Sequence, residues 1–488
     1  MEESYDPILP VKVANRRATV MWRPREPLEG RGKQADVSVA GNMEVLRDRE
    51  NMSTKLNRIA ELAGEDRNRQ FFSIAHLLTP QALYRAFRSL RKRASAGVDG
   101  VTYAEYEVSV RGNVRSLHDR LKSKRYRAQP LRRVYIPKES GEKRPISIPS
   151  LEDKIVQRAT VELLNAIYEQ DFLGCSYGFR PGRSAHDALD EVGRIICRHS
   201  ISYVLEADIR GYFDAIVRSQ LMEMIEKRVR DGSILRLIRK WINVGVVDEG
   251  RLLSSSTGTG QGQIISPLLA NIYLHYVLDE WFEEEIKPRV RGQAYEVRYC
   301  DDFILCFQYR EDAERVLEVL HKRFGKYGLS LHPEKTRLIE FGRFAAQNAV
   351  RRGEKKPETF DFLGFTHICA RSRRGRFTIH VRTMRKRLRR SLREVSAWCQ
   401  VHRHDPVAEQ WEALNSKLRG HYQYYGRPTN YRSLWKYYRQ VRRIWKKWLN
   451  RRNRGKTFTW QDYAKLLDQY PLPRPCISRS WTSPGSRA

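Results

Sequence analysis

Residues 297–307 read VRYCDDFILCF, an apolar run, two adjacent aspartates and a second apolar run. Few folds accommodate that pattern. The flanks are predicted to be strands joined by a tight turn, with both carboxylates at the tip. Two like charges about 4 Å apart repel by roughly 4 kcal/mol at an effective dielectric near 20. A solvated turn relieves that repulsion by exposure, and a bound divalent cation relieves it by neutralisation. A second strand of this kind lies in YVLEADIRGYFDAI (203–216), where Asp208 closes an apolar run before a helix begins. Asp208, Asp301 and Asp302 are therefore the candidate catalytic and metal-binding carboxylates. Hard oxygen donors suit Mg²⁺, and a pair of such ions can activate an attacking hydroxyl and stabilise a leaving pyrophosphate.

The neighbouring elements follow from periodicity. Apolar spacing from about 52 to 93 predicts helices, closed by the SAGVDG turn at 95–100. VYIPK (134–138) and RPISIP (144–149) read as a β-hairpin, and 153–170 as a helix. A further helix is expected over 312–328, stopped by Gly328. A charged break at 345–358 precedes FDFLGF (360–365), read as a strand returning to the same domain.

Charge narrows the class of partner. The 488 residues carry 91 Lys+Arg against 57 Asp+Glu, a formal net charge of +34. Residues 371–456 hold 26 of those cations against 4 acids. So concentrated a charge calls for a polyanion, nucleic acid before a membrane surface. No apolar run approaches the 18 or so residues of a spanning helix, and the acidic start MEESYDPILP is no signal peptide. Seven scattered cysteines contain no C-x-x-C pair, which argues against a disulfide framework and a zinc ribbon. The expected setting is cytoplasmic and of bacterial type, associated with the nucleoid when acting on DNA. Within 420–452, Leu434, Tyr438, Val441, Trp445 and Leu449 recur at helical spacing. They place Arg432, Lys436, Arg439, Arg443 and Lys447 on the opposite, nucleic-acid-binding face.

Four ordered boxes then make a resemblance specific. Tyr299-Cys300-Asp301-Asp302 resembles the Y-x-D-D box of reverse transcriptases, with Cys at the variable position. Asp208 through Phe213 resembles the first catalytic aspartate and nucleotide gate, and GTGQGQIISPLLANIYL (258–274) the box that meets the incoming nucleotide. RPISIP resembles the fingers box. SAGVDGVT (95–102), YGFRPGRSAHDAL (177–189), GLSLHPEKT (328–336) and FDFLGF bring the chain closest to the group II intron reverse transcriptase/maturases. The resemblance covers roughly 54–450. It implies an α+β right-hand polymerase with a fingers-palm domain over 54–370. A helical thumb or maturase X domain over 371–455 would follow it, between a flexible leader at 1–53 and a tail at 456–488 with no endonuclease domain.

The resemblance also distributes roles. Asp208 and Asp301 hold two Mg²⁺ ions (Mn²⁺ as substitute), with Asp302 and the Ile209 carbonyl assisting. Lys138 and Arg144 clamp the triphosphate, Gln261 contacts the nucleotide, and Phe213 excludes a 2′-hydroxyl. Lys335 either protonates pyrophosphate, contacts phosphate or stays solvated. Arg180 meets template or structural carbonyls. Two departures stand out, since the usual G-T-P-Q-G-G reads Gly258-Thr259-Gly260-Gln261-Gly262-Gln263, which implies a looser loop, and Cys300 replaces the common Ala. The implied function is RNA-directed DNA synthesis for a group II intron, assisting its splicing and copying it during retrohoming. Implied partners are intron RNA, an RNA template with a DNA or RNA primer, dNTPs and target DNA, with a homodimer allowed and no membrane. The rivals are a free-standing host-adopted reverse transcriptase in DNA repair or phage defence, and a non-catalytic RNA-binding splicing cofactor.

Overall fold

The computed structural model describes residues 53–137, 143–248, 250–253, 257–452 and 458–478. All of the expected 1–53 leader except Ser53, and Lys138, lie outside the described residues. The architecture is α+β. Strands β1 (Leu131–Pro137), β2 (Lys143–Ile148), β3 (Tyr203–Asp208), β4 (Val246–Asp248), β5 (Arg251–Leu253), β6 (Ala294–Tyr299), β7 (Asp302–Phe307), β8 (Arg337–Glu340), β9 (Thr359–Phe362), β10 (Phe365–Arg371) and β11 (Phe377–Thr383) form three sheets. The predicted hairpin is β1–β2, antiparallel from Arg132↔Ile148 to Pro137↔Lys143. It belongs to a sheet of order β2-β1-β4-β5. A second sheet has the order β6-β7-β3-β8. Phe303 to Phe307 of β7 are all buried, the continuous apolar pattern of a strand covered on both faces.

The chain divides into two compact units. Among the described residues the first comprises 53–191, 207–305 and 311–337, and the second 192–206, 306–310 and 338–478. In the first, the Leu151–Asp171 helix starts at Ser150, whose hydroxyl accepts the Asp153 N–H. Glu152 and Asp153 in its first turn complement the helix dipole. Its buried residues include Ile155, Val156, Leu163, Leu164 and Ile167. The Ser266–Leu274 helix continues through two π-helical segments, His275–Asp279 and Phe282–Ile286. The Arg310–Lys326 helix ends as predicted. Gly328 adopts φ +68°, and the Leu329 N–H returns to the Phe324 carbonyl at 2.9 Å.

In the second unit, FDFLGF is not one strand. β9 stops at Phe362, and Leu363 (φ 47°) and Gly364 (φ 80°) turn the chain into β10. A sheet of order β11-β10-β9 results. Helices Arg385–Val401, Val407–Tyr425 and Tyr431–Asn450 enclose an aromatic core with Tyr422, Tyr437 and Trp445 fully buried. Buried Asn430 ties sheet to helices. Its amide oxygen accepts the Thr383 N–H, and its amide nitrogen donates to Thr383 Oγ1 and the Tyr425 carbonyl, each at 2.8 Å. Residues 458–478, expected as tail, fold into this unit instead. A Trp460–Gln469 helix buries Tyr463 in the core, and Trp411 Nε1 donates to the Pro471 carbonyl at 2.9 Å. A short segment with one aromatic anchor carries too little periodicity to be recognised alone.

Candidate active site

Asp208 ends β3, Asp302 opens β7, and Cys300-Asp301 make the turn between β6 and β7. Cys300 sits at φ +60°, a left-handed conformation that a side chain adopts only under constraint. That turn sets Asp301 and Asp302 at the end of β7, beside Asp208 at the end of the neighbouring strand β3, where each charge acts on the others. The protein around the tip, then the Asp301 and Asp208 charges, push Asp302 up to about 7. Burial and Asp208 likewise raise Asp301, while Arg144 and Lys335 pull it down. The tip is short of positive charge. Lys335 Nζ answers part of that need, standing 2.6 Å from Asp208 Oδ2. Carboxylates at two neighbouring strand ends, with the Lys335 ammonium on one of them, offer the hard oxygen donors that suit Mg²⁺.

The Ile209 carbonyl stays available. The isolated bridge Ile209↔Leu331 is closed by Arg210 N–H to the Ser330 carbonyl and His332 N–H to the Asp208 carbonyl, which does not consume it. Arg144 is exposed on β2, paired with Ile136, and its charge reaches Asp301. Phe213 is half-buried, its carbonyl accepting the Thr259 N–H at 2.9 Å. The Gln261 carbonyl accepts the Ser147 N–H at 2.7 Å, stitching the 258–263 loop to β2.

That loop is not slack, contrary to the expectation from its glycine and glutamine replacements. Gln263 is buried, donates to the Trp241 carbonyl at 3.1 Å and accepts from Gln157 Nε2 at 2.7 Å. Gln157 Oε1 accepts the Ile264 N–H, and Arg218 donates to the Gly258 and Thr257 carbonyls. Gly260 packs closely against this clasp, and a Cβ there would displace the Leu131 Cδ1 methyl at 2.7 Å. The replacement that looked like loosening is a buried amide clasp.

Arg180 is the other correction. Its side chain is 3% exposed, its guanidinium held by Glu169 and by the Leu173, Ser176 and Phe172 carbonyls. No donor is left for a template, so the structural alternative holds. In the second unit, Arg432, Lys436, Arg439, Arg443 and Lys447 are all exposed on the Tyr431–Asn450 helix, opposite the buried Leu434, Tyr438, Val441, Trp445 and Leu449.

Sequence reasoning missed the support beneath the tip. Arg298 of β6 is fully buried and makes five hydrogen bonds. Nε and one terminal nitrogen grip the two Asp279 oxygens, each at 2.6 Å. The remaining three reach Ser176 Oγ (2.8 Å), Asn271 Oδ1 (3.0 Å) and the Cys300 carbonyl (3.1 Å). A cation inside an apolar strand, and an acid inside the apolar LHYVLDEW, were the available signals. Gly178 closes the back of the turn, because a Cβ there would lie 2.3 Å from Cys300 Sγ. The enlargement from Ala to Cys is thus accommodated by a residue with no side chain.

Comparison with known proteins places the chain in a family. Residues 136–367 match the family described as reverse transcriptase (RNA-dependent DNA polymerase). Protein YkfC of Escherichia coli is 32% identical over 368 residues, 67% of this chain and 91% of that protein. The group II intron-encoded protein LtrA of Lactococcus lactis subsp. cremoris is 31% identical over 302 residues, 59% of this chain and 50% of LtrA. The chain belongs to the group II intron reverse transcriptase/maturases. An uncharacterized 91 kDa protein in the cob intron of Schizosaccharomyces pombe is 43% identical over 163 residues, 33% of this chain and 20% of that protein. This reverse transcriptase is an RNA-directed DNA polymerase with nucleic acid partners. Among the described residues no helix is long and apolar enough to cross a membrane.

Proposed function

We propose that this reverse transcriptase binds a group II intron RNA, assists its splicing and copies it into cDNA during retrohoming, using the Asp208–Asp301–Asp302 tip as its polymerase centre. The observation that supports the polymerase reading is the placing of Asp208, Asp301 and Asp302 at the ends of neighbouring strands β3 and β7, with Lys335 paired to Asp208. Asp208 and Asp301 would hold two Mg²⁺ ions, helped by Asp302 and the Ile209 carbonyl. When bound, such ions lower the pKa of the primer 3′-hydroxyl and neutralise charge on the departing pyrophosphate. The protein's own part is positioning. Arg144, with Lys138, grips the triphosphate. A guanidinium fork suits phosphate oxygens better than a point charge. Phe213 lies where a bulky ring rejects a 2′-hydroxyl, and Gln261 faces the nucleotide from a loop clasped by Gln157 and Gln263. Lys335, paired with Asp208 in the structure, would serve as a phosphate contact.

The row from Arg432 to Lys447 forms the nucleic-acid face of a thumb, or maturase X domain. Primer extension on an RNA template with Mg²⁺ and dNTPs tests the polymerase reading. The wild type extends and Asp301→Ala does not, at undiminished RNA binding; extension by Asp301→Ala removes the metal assignment. Sequencing the RNA that stays bound after native purification tests the intron reading. One dominant RNA that folds as a group II intron supports it, and a scatter of unrelated RNAs favours a host-adopted polymerase.

A further inference from the structure

Arg298 lies three residues before Asp301 yet takes no part in the roles proposed above. We infer that it is a positioning residue for the polymerase centre, a framework that holds the Cys300–Asp301 peptide in place and so sets where the Asp301 carboxylate points. This inference rests on the metal reading of that tip.

Five observations carry it. The guanidinium reaches the Cys300 carbonyl at 3.1 Å, at the residue whose left-handed φ of +60° turns the chain. A guanidinium presents five N–H donors in a rigid fork, and all are occupied, so its orientation leaves no slack. Its acceptors come from separate parts of the first unit, namely Ser176 before the Gly178 contact, Asn271 in the Ser266–Leu274 helix and Asp279 in the π-helical turn. Asn271 also donates to the Gly178 carbonyl at 2.7 Å, bracing the backbone against which Cys300 packs. Finally, Asp279 lies in one of two π-helical segments. Such segments are uncommon and cluster at functional sites, and this one delivers a carboxylate to the buried cation.

The charges close within this network. Burial opposes the Arg298 charge, and Asp279 more than restores it. Cys175 and Glu296 flank Asp279, the three donor atoms lying within 4.8 Å of one another. Burial raises both the Cys175 thiol and the Glu296 carboxyl, so their surroundings disfavour further negative charge beside Asp279. Both Asp279 oxygens already serve Arg298, so the trio works as the pair's surroundings and not as a second metal centre.

The test follows free Mn²⁺ by electron paramagnetic resonance during titration of the full chain, with folded fraction monitored by near-ultraviolet circular dichroism. Partners that orient metal ligands typically contribute about 10–100-fold in affinity or activity. Arg298→Lys keeps the charge opposite Asp279 and loses the fork. It should weaken Mn²⁺ binding about tenfold and lower kcat about 100-fold, with KM for dNTP unchanged. Ser176→Ala removes a single acceptor and should weaken Mn²⁺ binding about threefold, a smaller share of the same effect. Asp301→Ala is the reference. If it binds Mn²⁺ like the wild type, the metal reading itself falls. If it loses binding while folded Arg298→Lys and Ser176→Ala keep wild-type affinity, the positioning role is overturned. Should Arg298→Lys fail to fold, Ser176→Ala decides alone.

Discussion

The buried ion pairs of the first unit and the outer face of the Tyr431–Asn450 helix in the second treat charge in opposite ways. The first buries it, with Arg298 and Asp279 paired beneath the tip, Arg228 paired with Asp171 at 2.9 Å, and Arg180 enclosed by Glu169 and backbone carbonyls. Around the second unit's helical core the interior is aromatic, and Arg432, Lys436, Arg439, Arg443 and Lys447 of the Tyr431–Asn450 helix stand outside. Buried charge costs several kcal/mol per ion unless every donor and acceptor is met. Such groups therefore tolerate one geometry, which suits a centre that must hold carboxylates in place. Exposed cations are individually worth little and are screened by salt. They suit a surface that grips a long polyanion by number. Precision is bought by burial, and adaptable binding comes from exposure.

Breaking the aromatic interior should have the largest effect. Trp445 is fully buried, with Nε1 donating to Gln410 at 3.0 Å. Trp445→Ala should cost about 3–5 kcal/mol of the second unit's stability. Denaturant unfolding followed by tryptophan fluorescence measures it, and a loss below 1 kcal/mol would mean the core is not organised around this ring.

Acid sharpens the contrast next. His367 stacks on Phe360 with ring centres 4.5 Å apart, and His421 on Tyr437 at 3.7 Å. Burial pushes each down to about 3 from an ordinary 6.5, with Arg427 also opposing the charge at His367. Below pH 6.5 the unfolded chain takes up these protons while the folded chain does not until about 3. Their contribution is thus intact above 6.5 and is lost as pH falls between those values. Moving from pH 7.5 to 5.5 should cost roughly 1.4 kcal/mol for each histidine. Denaturant midpoints at the two pH values check this, and His421→Phe should remove its share. An unchanged pH dependence in that variant would contradict the assignment.

A smaller effect is expected at the gate. Phe213→Ala should raise ribonucleotide incorporation relative to dNTP by about tenfold or more, the scale on which pocket shape discriminates. Competing the two nucleotides in primer extension reads it, and an unaltered ratio would place the gate elsewhere. Smallest per residue is the outer cationic row. Replacing Arg439, Arg443 and Lys447 together by Gln should flatten the salt dependence of RNA binding by about two units, at roughly 0.7–0.9 per lost phosphate contact. An identical slope would put the RNA on another surface.

What was legible in the sequence divides along the same line. The β1–β2 hairpin, the β6–β7 turn and the buried and exposed faces of the 431–450 helix follow local periodicity, and each is present. The three carboxylates were legible because charge at a strand end is costly and so conspicuous. Arg298 and Asp279 were not, since their pairing depends on a π-helical register and on Ser176, 122 residues away. Arg180 looked like a basic loop residue, and only the folded backbone reveals the carbonyls that consume its donors. Gln263 was read against the family's glycine as a loss of definition. Its partners Gln157 and Trp241 are distant in the chain, so the clasp was invisible.

The central claim is that catalysis and binding reside in differently built regions, and crossing two variants tests it. Asp301→Ala and the Arg439/Arg443/Lys447→Gln variant would each be measured for RNA affinity across a salt series and for single-turnover dNTP addition at saturating RNA. The expected result is a double dissociation. Asp301→Ala loses addition by about 10³-fold or more, consistent with several kcal/mol of metal electrostatics, at unchanged affinity. The triple variant loses affinity and salt slope while its saturated rate stays within a few-fold of wild type. Loss of both properties in either variant, at full folded fraction, would contradict the account.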